Sequence, residues 1–341
     1  MLKFPRLGIV FSNKTDDSLA QINRMKFCYL TITERCFFRC KTCYAWKRNA
    51  CHQEATFEEW RSFLRSLKAI SSTQLEVHLS GGEPLLHEWT PDLIKYGVAQ
   101  GFNMTMATNA FLIDKEMAKK IKDSGLSTII ISLNSLDEQI HDFLKGIKGS
   151  HEKTLDAIAH LTQQAGNPEI CICTIISQQT LPGLVKLVEW VNRQDKISAI
   201  SFQAVTQPFH TPTKKRWYQN KEYSLLWPSD AQKASLIMEE LIRLKETGAK
   251  IGNNVAQIRR YQSYFMHPDS LFKNGCNVGD VSLTAHPNGD ISLCRFGSIG
   301  NIKKDNIQEL WSSKKIRRVR TRMGRCKLSC EHMINGSYKD S

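Results

Sequence analysis

Six short apolar runs, most of them followed by a helical pattern, constrain this chain more than any other feature. They cover residues 25–33 (MKFCYLTIT), 74–80 (QLEVHLS), 102–108 (FNMTMAT), 127–133 (STIIISL), 169–177 (EICICTIIS) and 197–205 (ISAISFQAV). The runs are near-continuously apolar and rich in β-branched residues, the signature of strands buried on both faces. Between them lie five helical patterns: FEEWRSFLRSLKAI, PDLIKYGVAQ, DKEMAKKIKDSG, HEKTLDAIAHLTQQ and LPGLVKLVEWVNR. Alternating strands and helices predict an α/β fold with a parallel sheet, and six such units predict an open, partial (β/α)6 barrel of the TIM type.

Chemistry in such barrels gathers at the C-terminal ends of the strands. The distinctive residues fall there: TERCFFRCKTCYAW after the first run, SGGEP after the second, TNA after the third and SLNS after the fourth. Four loops converging on one mouth make a site. The N-terminal stretch MLKFPRLGIVFSNKTDD lacks a cleavage site, and no apolar run approaches the roughly 20 residues that span a bilayer. The expectation is a cytoplasmic protein with no membrane partner. In a reducing compartment, the chain's 11 cysteines read as thiolate ligands rather than disulfides.

Cys36, Cys40 and Cys43 form a C-x3-C-x2-C loop with no fourth cysteine close by. Structural zinc wants four closed ligands, whereas three thiolates suit a four-iron four-sulfur cluster with one iron open. With GGEP and SLNS, this loop resembles the radical S-adenosylmethionine (SAM) superfamily over roughly residues 25–205. The resemblance implies that Cys36, Cys40 and Cys43 ligate a 4Fe-4S cluster and that SAM chelates the fourth iron. It implies SAM contacts from Gly81, Gly82, Glu83 and Pro84, with Glu83 accepting from the methionine amino group, and from Ser132 and Asn134 toward the ribose. Lys145 stands where many relatives pair an arginine with the methionine carboxylate. Thr42 and Asn134 are departures, since relatives usually carry an aromatic residue beside adenine and an aspartate at these places. The implied reaction is reductive cleavage of SAM to a 5′-deoxyadenosyl radical that takes hydrogen from a substrate.

From about residue 270 the chain changes character. Cys276 and Cys294 bracket a predicted hairpin turning at HPNGD, where Asn-Gly is the signal, and Cys326 and Cys330 follow a basic helix. The spacing C-x12-G-x4-C followed by C-x3-C resembles the twitch or SPASM extensions of the same superfamily. Four cysteines, with Gly336 rather than a further one, imply a single auxiliary 4Fe-4S cluster; zinc would satisfy the same ligands. Such a cluster is suited to accepting the electron that a substrate radical loses on becoming an oxidised product. The domain reading is an extension over 1–24, the barrel core over 25–205, a connecting loop and helix over 206–269 and a small cysteine-rich hairpin and helix module over 270–341.

Cys28, Cys171 and Cys173 lie in strand patterns and read as core thiols. His78, His87, His141 and His286 read as structural. The net charge of +14, concentrated in SSKKIRRVRTRMGRCK, suits an acidic flavodoxin- or ferredoxin-type electron donor. No nucleic-acid motif accompanies the charge, so nucleic acid is not an expected partner. The substrate is expected to be a peptide or a small polar metabolite, and the aromatic, basic segment with Trp217, Tyr218 and Trp227 to be either a cover for it or part of the core. The competing reading is a non-catalytic iron-sulfur or zinc module on the same fold.

Overall fold

The computed structural model describes residues 25–47, 53–71, 75–164, 166, 168–212, 214, 216–269, 276, 278–294, 296–326, 330, 334 and 335. The expected extension over 1–24 and Gly336 lie outside the described residues. The barrel units run β1 (Phe27–Thr33), α1 (Phe57–Leu67), β2 (Glu76–Gly81), α2 (Thr90–Ala99), β3 (Asn103–Thr108), α3 (Lys115–Asp123), β4 (Thr128–Ser132), α4 (Glu138–Lys145), α5 (Ser150–Thr162), β5 (Glu169–Ile176), α6 (Leu184–Asn192) and β6 (Ile197–Ala204). All six expected strands form, and neighbours among them pair in parallel.

Short polar devices start the helices. Thr56 and Glu59 make a capping box on α1, and Asp114 and Asp137 accept amide protons at the N-caps of α3 and α4. Strand pleating splits the apolar residues between two faces. Ile129, Ile131, Ile170 and Ile172 join the main core, whereas Ile130, Cys171 and Ala199 form a small second cluster, with Ala107 and Cys173 against it. Cys28 is fully buried in the main core, as expected.

After β6 come α7 (Ala231–Glu246), capped by Asp230, and α8 (Val255–Met266). Then follow α9 (Val278–Val281), β7 (Ser282–Ala285), β8 (Asp290–Ser292), β9 (Ser298–Asn301), α10 (Ile307–Trp311) and α11 (Lys314–Gly324). The cysteine-rich part is not a sheet of its own. β7 pairs in parallel with β1, so one nine-stranded sheet runs β6-β5-β4-β3-β2-β1-β7-β8-β9 and stays open. The expected hairpin forms between β7 and β8, with Gly289 at φ 88° and the Gly289 amide donating to His286 O at 2.8 Å.

The aromatic segment turns inward. Trp217 packs edge-on to Trp227, and Trp227 in turn to Tyr264 and Phe265 of α8. Trp217 is 9% exposed and Tyr223 3%, so their rings are core that anchors the segment. Among the described residues no helix is long and apolar enough to cross a membrane.

Candidate functional site

The cysteine loop leaves β1 and is held from three sides. The Thr33 hydroxyl donates to Glu54 Oε1 at 2.6 Å. Arg39 N and Lys41 N donate to the carbonyls of Lys145 and Leu144 at 3.1 and 2.9 Å, tying the loop to the end of α4. Phe209 N donates to Thr42 O at 3.2 Å and Tyr44 N to Phe209 O at 3.0 Å, making a parallel bridge across Cys43. Three glycines let these loops close. A side-chain carbon on Gly82 would collide with the Arg35 carbonyl, one on Gly81 with that of Thr33 and one on Gly146, at φ 68°, with that of Arg39. Backbone of the cysteine loop thus fills the space a side chain would take at Gly81 and Gly82. Gly82 N and Glu83 N then donate to Thr33 O and Arg35 O at 2.8 and 2.9 Å.

Glu83 is fully buried at the start of a turn whose next residue is Pro84, itself buried. Its Oε1 accepts from the Thr108 hydroxyl at 2.7 Å and Leu85 N at 3.2 Å, and its Oε2 from Asn109 N at 2.8 Å. Burial pushes its pKa up, against the pull of these donors and of Lys145. Of roughly four acceptor positions on a carboxylate, three are used within the chain, and Oε2 keeps room for one more donor. Lys145 closes α4, is 6% exposed, and its side chain has no hydrogen bond or ion pair among the described residues. Its charge acts on Glu83 and on Cys40, and with no direct ion pair it fits a ligand that brings a negative group. The fields of Glu83 and Lys145 both reach the cysteine loop, Glu83 acting on Cys36 and Lys145 on Cys40.

Ser132 ends β4, half-buried. Asn134 is 6% exposed; its Oδ1 accepts from Ile175 N at 3.3 Å and its N donates to His141 Nδ1 at 3.2 Å. Burial, with Lys145 and His151 behind it, pushes His141 down to about 3. The ring is thus neutral with its proton on Nε2, a buried atom that has no partner. His141 was legible only as a structural histidine. Thr108 and Asn109 were legible as part of a loop with no assigned role, and the only signal for them was their place after the third strand.

Burial pushes the Cys36 thiol up to about 12 and raises Cys40 as well, with Lys145 opposing the rise at Cys40. Thiols so placed are protonated until a metal displaces the proton, and the donor set of three sulfurs, an open carboxylate position and an unpaired cation fits a three-thiolate cluster with SAM.

The second set lies against α11. Met323 O accepts from both Cys276 N at 3.2 Å and Cys326 N at 2.9 Å, so the end of α11 positions two of the four cysteines. The Cys276 thiol is raised to about 11 by burial, with Cys330, Cys294 and Cys326 each adding to the rise. Cys294, Cys326 and Cys330 thus all act on the Cys276 thiol. Among the described residues, no three His, Cys, Asp or Glu side chains converge as a single-ion site.

Two family models match the chain. One, described as the radical SAM superfamily, covers residues 30–191, and the other, SPASM, described as an iron-sulfur cluster-binding domain, covers residues 276–332. Fe-coproporphyrin III synthase of Methanosarcina barkeri is 29% identical over 302 residues, covering 82% of this chain and 72% of that protein. PqqA peptide cyclase of Bradyrhizobium diazoefficiens is 29% identical over 161 residues, 47% of this chain and 41% of that protein. Among solved structures, Streptococcus suis SuiB bound to precursor peptide SuiA aligns with a TM-score of 0.66 over 87% of this chain and 67% of that one. At 16% identity that likeness concerns the fold alone.

Proposed function

With a radical SAM domain and an iron-sulfur SPASM domain in one chain, this protein belongs to the radical SAM superfamily, and on that premise we propose that it oxidises its substrate by hydrogen abstraction and passes an electron to an auxiliary cluster. The observation that carries this reading is Lys145, 6% exposed, whose charge acts on both Cys40 and Glu83 beside the cysteine loop. A cluster and SAM held there supply one-electron cleavage of the sulfonium bond and, through it, hydrogen abstraction from an unactivated C–H bond.

The chain's own groups divide the work. Cys36, Cys40 and Cys43 would hold the cluster with SAM beside it. Glu83 Oε2 would accept from the amino group of SAM, and Lys145 would pair with its carboxylate as a point charge, without the fork an arginine has. Asn134, its Oδ1 engaged by Ile175 N, has its amide N–H groups to offer a ribose hydroxyl, with Ser132 beside it. Cys276, Cys294, Cys326 and Cys330 close one auxiliary cluster, and four protein ligands suit electron traffic rather than substrate binding. The exposed cations of α11, among them Lys314, Lys315 and Arg318, give an acidic flavodoxin- or ferredoxin-type donor a surface to approach.

For the substrate, the reading is a peptide or a small polar metabolite. The peptide is favoured by the core's likeness to a peptide cyclase. A tetrapyrrole is a second reading, because the likeness to Fe-coproporphyrin III synthase covers 82% of this chain and 72% of that protein.

The test is anaerobic reconstitution followed by reduction with dithionite in the presence of SAM. About eight iron per chain, as two four-iron clusters require, and 5′-deoxyadenosine in the wild type but not in Cys36→Ala are the expected results. Zinc in place of iron with no SAM cleavage would establish the non-catalytic module instead. Alanine at the four C-terminal cysteines is expected to spare SAM cleavage and stop product formation; persistence of both would remove the electron-acceptor role.

A further inference from the structure

Trp46, at 37%, and Phe143, at 46%, are among the few large apolar side chains left exposed, and both flank the cysteine loop. Each ring carries a cation of that loop. The Arg39 guanidinium lies 6.0 Å from the centre of the Trp46 ring and the Lys41 ammonium 5.3 Å from that of Phe143. The two ring–cation pairs stand side by side, because Arg39 N and Lys41 N donate to the adjacent carbonyls of Lys145 and Leu144, next to Phe143 in α4. Neither cation has an ion pair among the described residues, whereas Lys47, beside Trp46, is paired with Glu222 at 3.4 Å.

This composition is that of a binding surface rather than of a solvated loop. Aromatic rings and arginine are enriched where proteins meet, and cations left without an anion select an acidic partner. The patch is small, as suits the weak, short-lived encounters of electron transfer. Cys40 lies between Arg39 and Lys41 in the chain, so a partner seated here stands against the loop that carries a ligand thiol. Electron transfer weakens steeply with distance, and that closeness is what a donor needs. The basic helix α11 offers charge of the same sign in a different place. Its end holds Cys276 N and Cys326 N through Met323 O, so it borders the other cysteine set, and it carries no exposed aromatic ring.

We propose that Arg39, Lys41, Trp46 and Phe143 form the seat of the acidic one-electron carrier that reduces the cluster, while the cations of α11 attract the carrier from a distance without seating it. The proposal rests on the reading that Cys36, Cys40 and Cys43 hold a cluster. The carrier is oxidised by one electron and the cluster reduced by one, with no bond made or broken across the interface.

The experiment follows 5′-deoxyadenosine formation by the reconstituted full-length protein, driven in parallel by dithionite and by sub-saturating flavodoxin kept reduced by its NADPH-dependent reductase. The double variant Trp46→Ala, Phe143→Ala is expected to lose roughly tenfold or more in the flavodoxin-driven rate, the scale of a hot-spot side chain, and to keep the dithionite-driven rate. Lys314→Glu with Lys315→Glu on α11 is expected to lose less, and only at low salt, where long-range attraction is unscreened. An unchanged flavodoxin-driven rate in the double variant overturns the proposal and leaves the patch to a different acidic partner. A larger loss in the α11 variant also overturns it, moving the seat to the auxiliary side. If the double variant does not load iron, Phe143→Ser, which leaves the cysteine loop unaltered, decides in its place by the same two outcomes. A wild-type protein that loads iron but makes no 5′-deoxyadenosine with dithionite overturns the underlying reading. One that responds to dithionite and to neither flavodoxin nor ferredoxin overturns the seat alone.

Discussion

At Gly82 two loops of the candidate site share space that no side chain can enter. The Arg35 carbonyl stands where a methyl group would go, and Glu83 N donates to that same carbonyl at 2.9 Å. Gly82→Ala must push the GGEP turn and the cysteine loop apart, which displaces Glu83 and Cys36 together. The expected outcome is a fall of about four iron per chain on reconstitution, with the auxiliary site still loaded, as iron analysis would show. A Gly82→Ala protein with full iron would mean that the loops can give way at no cost to the thiols. Glu83 itself was legible from the motif GGEP. Two of its three in-chain donors were not, because Thr108 and Asn109 lie 25 and 26 residues away on another strand end.

At the scale of elements, α4 and α5 act as one support for the cysteine loop. Asp142 in α4 accepts from the Gly149 amide at 2.5 Å, the Ser150 hydroxyl at 2.8 Å and the His151 amide at 2.8 Å, gathering the start of α5 onto one carboxylate. Burial pushes the Asp142 pKa up, but these donors, with His141, outweigh it and leave it below the usual aspartate value. A carboxyl depressed in the folded state stabilises it at pH values above the unfolded pKa, near 3.9, and loses that stabilisation as pH falls through the lower folded value. Asp142→Asn is therefore expected to be less stable at neutral pH and to show a flatter loss of stability below about pH 4. Urea unfolding across pH 2.5–7 measures this, and parallel curves for the two proteins would show that Asp142 contributes nothing through its charge. The helix α4 was not read from sequence, since eight residues of mixed composition between a strand end and a glycine carry little periodicity.

For the molecule as a whole, the open sheet leaves β6 as an edge, and two separate parts of the chain cover it. Ile200 exchanges bonds with Lys250 O and Gly252 N, Phe202 with the Asn253 amide, and Ala204 with the Asn335 amide. Edges left bare invite pairing with other chains. Asn335→Ala would leave the Ala204 N–H and C=O unpaired at a cost of about 1–3 kcal/mol. A lower denaturant midpoint and faster aggregation on warming are the expected readouts. The cover also joins the two cysteine sets, because Asn335 follows closely after Cys330, and the Gln257 amide of α8 donates to its carbonyl at 2.6 Å.

What the sequence determined by itself was local. The six strands announced themselves by near-continuous apolar runs, most of their helices by apolar period and caps, and the two cysteine sets by spacings short enough to count. The tertiary structure decided what depends on distant contacts. It joined β7 to β1 and so made the cysteine module a continuation of the barrel sheet, turned Trp217 and Tyr223 into core, placed Phe209 against Thr42, and brought Asn335 to a strand 131 residues earlier. Periodicity reports how a segment meets its own neighbours. It carries no record of which strand edge or loop, far along the chain, will need a hydrogen bond or a ring.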